Sequence, residues 1–491
     1  MKIRKIYYIA IIALAGSISQ SCSDWLSLQP IDRQTEEQLF STKDGFYAAL
    51  NGIYNKLGSD NLYGKQLTWE MIDIIAQRYA VNTNYDLGSK LASFTYSDAS
   101  VQSIMESMWT EAYNTILNCN VLIKNCEDKK GTVLTQRDYS IIKAESLTAR
   151  AFLHFDMLRC FGPIYVTSPE GTSIPYNTLC YASTLPLLPA NQVVINVLSD
   201  IDAAIELLAD NDPVITEGVM NTPATTGDEY GDIYRYRQLR FNYYSAVLLK
   251  ARVLLYSGDL TNALAAAKIL IEDPVVTEHF PFVDPSRLLG NSSTPDRTFS
   301  TEILFGLYNQ NRGLIFRNNF SPEGTTTKLL QPRSSFVAAN LFLNETQDYR
   351  YQSQWAASNA IGNTDPMFIK YMDISDNELF YATVFPLMRI SEAYYIAAEC
   401  ETDLANAYGY LNVIREKRGV TPLSVVSTSD LNTKLNNEYN REFAGEGQLF
   451  FYYKRRNITI PSAQNGRNTT SYSFNDARGV FPLPENEMTV R

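Results

Sequence analysis

Two helical patterns, Leu239–Tyr256 and Leu260–Ile271, meet at the turn Ser257-Gly258-Asp259, and Pro274 closes the unit. This pair constrains the fold more than any other stretch. Ala251, Ala263, Ala266 and Ala267 carry side chains small enough for two helix axes to approach closely. A second pair follows the same grammar over Phe385–Cys400 and Asn406–Arg418, ended by Gly419. Further helices are predicted over Lys43–Leu57, Val101–Cys126 and Arg137–Phe161, the last stopped by Gly162-Pro163. Asn191–Ala209 adds another, with Val194, Val197, Leu198, Ile201, Ala204, Ile205 and Leu208 on one stripe.

The paired helices have tetratricopeptide-like grammar, but exact periodicity is lost between copies. The expected fold is mostly α. Tetratricopeptide-like hairpins form a scaffold, and a second, irregular, loop-rich lobe carries a few short strands, one of them near Glu302–Tyr308. A mature chain of about 470 residues exceeds a single core, which stops growing near ~250–300. Long irregular stretches, 61–100, 167–189, 210–236, 274–301 and 309–386, separate the helical patterns. Loops of this length in a folded protein are usually binding surfaces, and their aromatic content argues against disorder.

The N-terminus reads as an export leader. Lys2, Arg4 and Lys5 precede the apolar run Ile6–Ile18, and Ser19-Gln20-Ser21 lead into Cys22. That run is too short to span a bilayer. A cysteine at the cleavage point suggests a bacterial lipoprotein signal over residues 1–21, with Cys22 lipidated; ordinary secretion with an unmodified cysteine is the alternative. No other segment reads as membrane-spanning. With 42 basic against 53 acidic side chains, three of the bases in the leader, nucleic acid is excluded as a partner. Cys119 and Cys126, two helical turns or ~10.5 Å apart, are too distant to bridge. Cys160 and Cys180 remain open as a pair. His154 and His279 are the only histidines, there is no C-x-x-C spacing, and no metal or cofactor is expected. Asp200, Asp202, Asp210 and Asp212 lack calcium-loop spacing.

Several segments in order resemble the SusD/RagB family of surface nutrient-binding lipoproteins. Ala48-Ala49-Leu50-Asn51-Gly52-Ile53-Tyr54 is similar to its first helix, and Arg150-Ala151-Phe152 through Phe161-Gly162 to its third. Ala246–Asp259 resembles its central repeat. The C-terminal match runs through Pro386-Leu387-Met388-Arg389-Ile390-Ser391-Glu392, Ala397-Ala398-Glu399, Leu411–Arg415 and Arg418-Gly419. It continues through Glu438, Arg441-Glu442-Phe443, Glu446-Gly447-Gln448, Phe451 and Lys454-Arg455-Arg456. Departures are Leu449 in place of the usual Arg, Tyr452 in place of a frequent Asp, and the shortened Gly162-Pro163-Ile164 run. The resemblance suggests an N-terminal region over 22–220, a central helical repeat and loop over 221–300, and a C-terminal region over 301–491. It implies an outer-membrane, lipid-anchored protein facing the cell exterior, which captures oligosaccharides for a TonB-dependent, SusC-like transporter. Peptide capture by a RagB-like relative and a surface glycoside hydrolase are the alternatives.

The motif residues read as scaffold rather than site. Arg389 and Glu392, three apart, and Glu399, two turns on, form a stripe that can pair with Arg415, Arg418 or Arg441. No G-x-S-x-G in the mature chain, H-E-x-x-H, P-loop or dinucleotide motif points to an enzyme. A sugar site needs an aromatic plane for C–H faces and Asp, Asn or Arg for vicinal hydroxyls. The first long loop offers Trp69, Asp73, Arg78, Tyr79, Asn82 and Tyr85, and later segments add Tyr308, Asn309, Arg312 and Trp355. For the leader, Cys22→Ala is expected to move the protein out of the membrane fraction. An unchanged distribution, with no acyl mass on the wild-type N-terminus, would refute lipidation.

Overall fold

The computed structural model describes residues 35–82, 84–222, 231–289, 293–323, 328–332, 336–358, 365–460 and 472–489; the leader and Cys22 lie outside them. Helices α1 (Lys43–Leu57), α2 (Ala99–Lys129), α3 (Gln136–Phe161), α4 (Ala190–Ala209), α5 (Tyr243–Ser257) and α6 (Leu260–Glu272) come first. Strand β1 (Ile303–Tyr308), α7 (Arg312–Asn319), β2 (Trp355–Ala356), β3 (Met367–Phe368) and β4 (Val384–Arg389) follow. The chain then builds α8 (Ile390–Cys400), α9 (Leu404–Lys417), α10 (Thr428–Glu442) and α11 (Leu449–Arg456).

Helix ends follow local chemistry. Thr135 and Asp138 form a capping box at the start of α3, and Asn242 and Ser245 form one at α5. Gly258, at φ 84°, takes the left-handed conformation that ends α5, and Asp259 caps α6 at once. In space α2 packs on α3, α3 on α4, α4 on α5, α5 on α6, α6 on α8 and α8 on α9. The tetratricopeptide-like row is therefore continuous, although more than a hundred residues separate α6 from α8 in sequence. The antiparallel pair β1–β4 is the neck of that excursion. No helix among the described residues is long and apolar enough to cross a membrane.

Helix α3 is buried from Asp138 onward except at Lys143, so its polar groups must find partners inside. Glu145 accepts from Arg237 and from the Tyr54 hydroxyl, each at 2.6 Å. Arg150 grips Asp200 with Nε and Nη2 at 2.7 and 2.6 Å, and Asp212 holds Arg237. The C-terminal carbonyls of α3 receive Lys454 of α11, whose Nζ donates to Arg159 and Gly162 at 2.7 Å and to Cys160 at 3.4 Å. Burial pushes the pKa of Lys454 down to about 7, while the carbonyls favour its ammonium form.

The structure corrects three expectations. Phe385–Arg389 is strand rather than the start of a helix: Pro386 stands opposite Gly306 on β1, and α8 begins only at Ile390. The stretch 61–100 is largely core: it folds the short helices Met71–Ile75 and Asp86–Ala92 and buries Leu62, Tyr63, Leu67 and Trp69. The stripe on α8 is structural, but its partners differ. Glu392 pairs with Arg252 of α5 and Glu399 with Arg455 of α11, while Arg389 reaches Glu442 and Glu446. Arg389 has extended backbone, so helical spacing does not place it beside Glu392. The cysteines Cys119, Cys126, Cys160, Cys180 and Cys400 are all free thiols.

His154 supplies a pH-dependent term. Its Nε2 accepts from the Asn177 N–H and its Nδ1 lies against the Arg150 carbonyl, both at 2.9 Å, which requires the neutral ring protonated at Nδ1. Burial and the neighbouring Arg150 push its pKa down to about 3. The unfolded imidazole titrates near ~6.5, so between that pH and 3 only the unfolded chain takes up this proton. Stability therefore falls with pH through that window, by up to about 1.4 kcal/mol per unit from this group. Denaturant unfolding at pH 4.5 and 7 should show a smaller loss in His154→Gln than in the wild type; equal losses would exclude this role.

Candidate functional site

The C-terminal half of α1, the turn before α5 and the end of β1 enclose an open groove of about 450 Å³. Asn51, Tyr54 and Asn55 follow one another on one face of α1, with Gly58 just past its end. Tyr236, in left-handed backbone at φ 50°, then Leu239 and Arg240 form the second wall. Leu307 and Tyr308 supply the third. Tyr308 is the last residue of β1, where the buried strand reaches the surface, and it is 58% exposed.

The groove is held in shape from behind. Tyr54 donates to Glu145 and accepts from the Phe241 N–H at 2.9 Å, and burial with the Glu145 charge keeps its hydroxyl protonated. Phe241 stacks on Phe305 of β1 with centroids 3.9 Å apart. Arg240 lies 5.4 Å from the Tyr54 ring centroid, and its Nη2 donates to Asn51 Oδ1 at 2.7 Å. The wall thus presents an exposed aromatic ring, two amides and a guanidinium, with no carboxylate among the described residues. This set can stack on an apolar face and bind hydroxyls.

The sequence-selected residues divide sharply. Tyr308 is in the groove, and Asn309 beside it is half-buried, its Oδ1 accepting from the Asn311 N–H at 2.8 Å. Asn82 is half-buried, its Oδ1 accepting from the Asn84 N–H. The other seven are buried, and each has structural work to do. Trp69 donates to the Gly64 carbonyl at 3.0 Å and meets Phe320 edge-on. Asp73 accepts from the Gly445 N–H at 3.0 Å and pairs with Arg78, which donates to the Asn440 carbonyl. Burial pushes the pKa of Asp73 up to about 6 against the pull of Arg78. Tyr79 turns its hydroxyl to Asp73, and Tyr85 donates to Glu70 at 2.8 Å. Arg312 donates to the Tyr381 carbonyl, and burial pushes its pKa down to about 10. Trp355 packs on Phe368 across the β2–β3 pair, with centroids 5.1 Å apart.

The run from Asp73 to Tyr85 is thus the joint between the first long segment and the end of α10, not an open plane in this structure. Sequence reasoning did not select Asn51, Asn55, Tyr236 or Arg240. The i,i+4 amides flanking Tyr54 were a usable signal. Nothing in the sequence marks Tyr236, whose placement depends on its backbone conformation.

A tetratricopeptide-like helical row with a loop-rich excursion defines the class of protein. The chain belongs to the SusD/RagB family. The model described as "SusD family" matches residues 312–490, and "Starch-binding associating with outer membrane" matches 24–219. SusD-like protein P25 of Formosa agariphila is 21% identical over 96% of this chain and 94% of its own. A SusD-like carbohydrate-binding protein of Bacteroides vulgatus superposes with TM-score 0.69 at 19% identity, over 91% of this chain and 96% of its own. Surface glycan-binding protein A of Bacteroides fluxus superposes with TM-score 0.65 at 18% identity, over 91% and 96%.

Burial separates the two kinds of aromatic. Trp69→Ala should lower stability by about 3–5 kcal/mol, whereas Tyr308→Ala should stay within about 0.5 kcal/mol of wild type. Denaturant melts of both variants test this, and equal losses would contradict the placement of the two rings.

Proposed function

We propose that the protein is a surface-exposed, lipid-anchored glycan-binding protein and that the Tyr308 groove is a binding surface for oligosaccharide. The observation that carries this reading is Tyr308 itself: an exposed ring beside Asn51, Asn55 and Arg240 in an open groove of about 450 Å³. A pyranose stacks its C–H face on such a ring, while amide and guanidinium groups meet its hydroxyls. Membership in the SusD/RagB family supports the same reading, as do glycan-binding relatives of the same fold. Binding rather than catalysis suits the wall: glycoside hydrolysis needs two carboxylates about 5–10 Å apart, and the described residues of the wall are aromatic, amide, guanidinium and aliphatic. Delivery is to a TonB-dependent, SusC-like outer-membrane transporter, with Cys22 as the lipid anchor.

Two to four stacked or bidentate contacts, partly offset by ordering a flexible oligomer, give affinity on the order of micromolar to millimolar. Calorimetry against oligosaccharide and mixed-peptide panels is expected to give heat from oligosaccharides, with binding about tenfold weaker in Tyr308→Ala. Heat from peptides alone would move the protein to the peptide-binding alternative, and product formed during titration would indicate a hydrolase. The tagged protein should also recover a large outer-membrane barrel from native membranes in mild detergent, across an interface above ~2,000 Å². Recovery of no barrel would refute the transporter assignment.

A further inference from the structure

Eleven of the described arginines are buried, and ten of them pair with a carboxylate. Arg312, the first residue of α7, is the exception, at 2% exposure. Its Nη1 donates to the Tyr381 carbonyl, and its Nε is buried with no partner. Arg297, half-buried in the turn before β1, also pairs with no described carboxylate, and its Nη1 is buried with no partner. Tyr381 brings the two together. Its carbonyl holds Arg312, and its hydroxyl donates at 3.0 Å to the carbonyl of Thr294, three residues before Arg297. Burial first, and the Arg297 charge after it, push the pKa of Arg312 down to about 10 against the pull of Tyr371, Asp296 and Asp373. Neither carboxylate is spare. Asp296 pairs with Arg287 at 3.5 Å and accepts from the Ser300 N–H and hydroxyl, while Asp373 pairs with Arg317. Four guanidinium groups thus share two carboxylates.

Water can accept from Arg312 Nε or Arg297 Nη1, but it brings no charge, and buried charge without a counter-charge is costly. The pair therefore calls for an anion, and Arg297 is the member that solvent reaches. Both residues stand beside the neck that carries Tyr308. Tyr308 faces Val384 across β1–β4, and the Asn309 N–H donates to the Thr383 carbonyl at 2.6 Å. Tyr381 lies three residues before Val384, at most ~11 Å along the chain, a distance that a short oligomer stacked on Tyr308 can span. Given the glycan-binding role proposed for the Tyr308 groove, we propose that Arg297 and Arg312 recognise an acidic substituent, a carboxylate or sulfate ester, on the bound oligosaccharide. Guanidinium groups suit both, because their forked donors meet two oxygens of one acid group.

Calorimetry of the full chain tests this with two matched pairs. One is an oligogalacturonate and the same oligomer with its carboxylates reduced to alcohols; the other is a sulfated oligosaccharide and its desulfated form. The acidic member of at least one pair should bind about tenfold or more tighter than its neutral counterpart at low salt. That margin is electrostatic and should shrink as salt is raised. The Arg297 side chain makes no hydrogen bond to the described residues, so Arg297→Gln should keep Tm within about 2 °C of wild type and erase the margin. Neutral forms that bind as tightly as acidic ones, a margin indifferent to salt, or one that survives Arg297→Gln would each overturn the acid site and leave the glycan reading standing. Heat from no oligosaccharide, with or without heat from an acidic peptide, would overturn both.

Discussion

The carboxylate of Glu442, at the end of α10, is the constraint on which the C-terminal half depends. It accepts from Arg350 at 2.9 Å, Arg389 at 2.5 Å and Arg418 at 2.6 Å, and all four side chains are fully buried. Burial opposes its charge, but Arg418, Arg389 and Arg350 together hold its carboxyl well below the usual range. Each arginine has a further carboxylate: Asp348 for Arg350, Glu446 for Arg389 and Glu302 for Arg418. Buried charge is costly unless its geometry and count are nearly complete. The network therefore fixes the relative positions of β4, α9, α10 and the turn before β1. It does so with directional bonds that an apolar core of the same volume would lack.

The groove inherits its shape from that arrangement. Glu302 immediately precedes β1, and Arg389 ends β4, so the ion network holds the neck of the excursion at one end. At the other end β1 delivers Tyr308 to the surface, while Phe305 packs under Phe241 and Tyr54. The groove wall is thus backed by core on each side. A ligand meeting it pays little to order the protein, and the ordering cost lies in the ligand.

Most of the scaffold was legible because its signals are local. Gly258, Gly162-Pro163 and the alanines of α5 and α6 marked helix ends and close packing, and the helix ends that follow agree within a few residues. The 61–85 stretch was not legible. Tyrosine, tryptophan and asparagine in an aperiodic run describe a binding loop and a polar-satisfied core equally well. The difference lies in Glu70, Asp73 and the Gly445 N–H, partners that only the fold brings to Tyr85, Tyr79 and Asp73. Among the ten residues selected for ligand contact, Tyr308 stands apart for a reason of position: it ends a strand whose preceding residues are all buried. Likewise Arg389 and Glu392 were recognisable as a motif, but the strand-to-helix junction between them sends their side chains to different helices.

The capping of α3 by Lys454 bears on how the chain reaches this state. The helix that forms the middle of the row has its last turn closed by a side chain encoded 295 residues later. Asp73 likewise waits 372 residues for the Gly445 N–H. During synthesis the N-terminal half is therefore complete in sequence but not in structure, with polar groups and apolar faces unmatched until the final tenth of the chain arrives. Folding cannot proceed element by element from the N-terminus. The fold is bound to close late and as a whole.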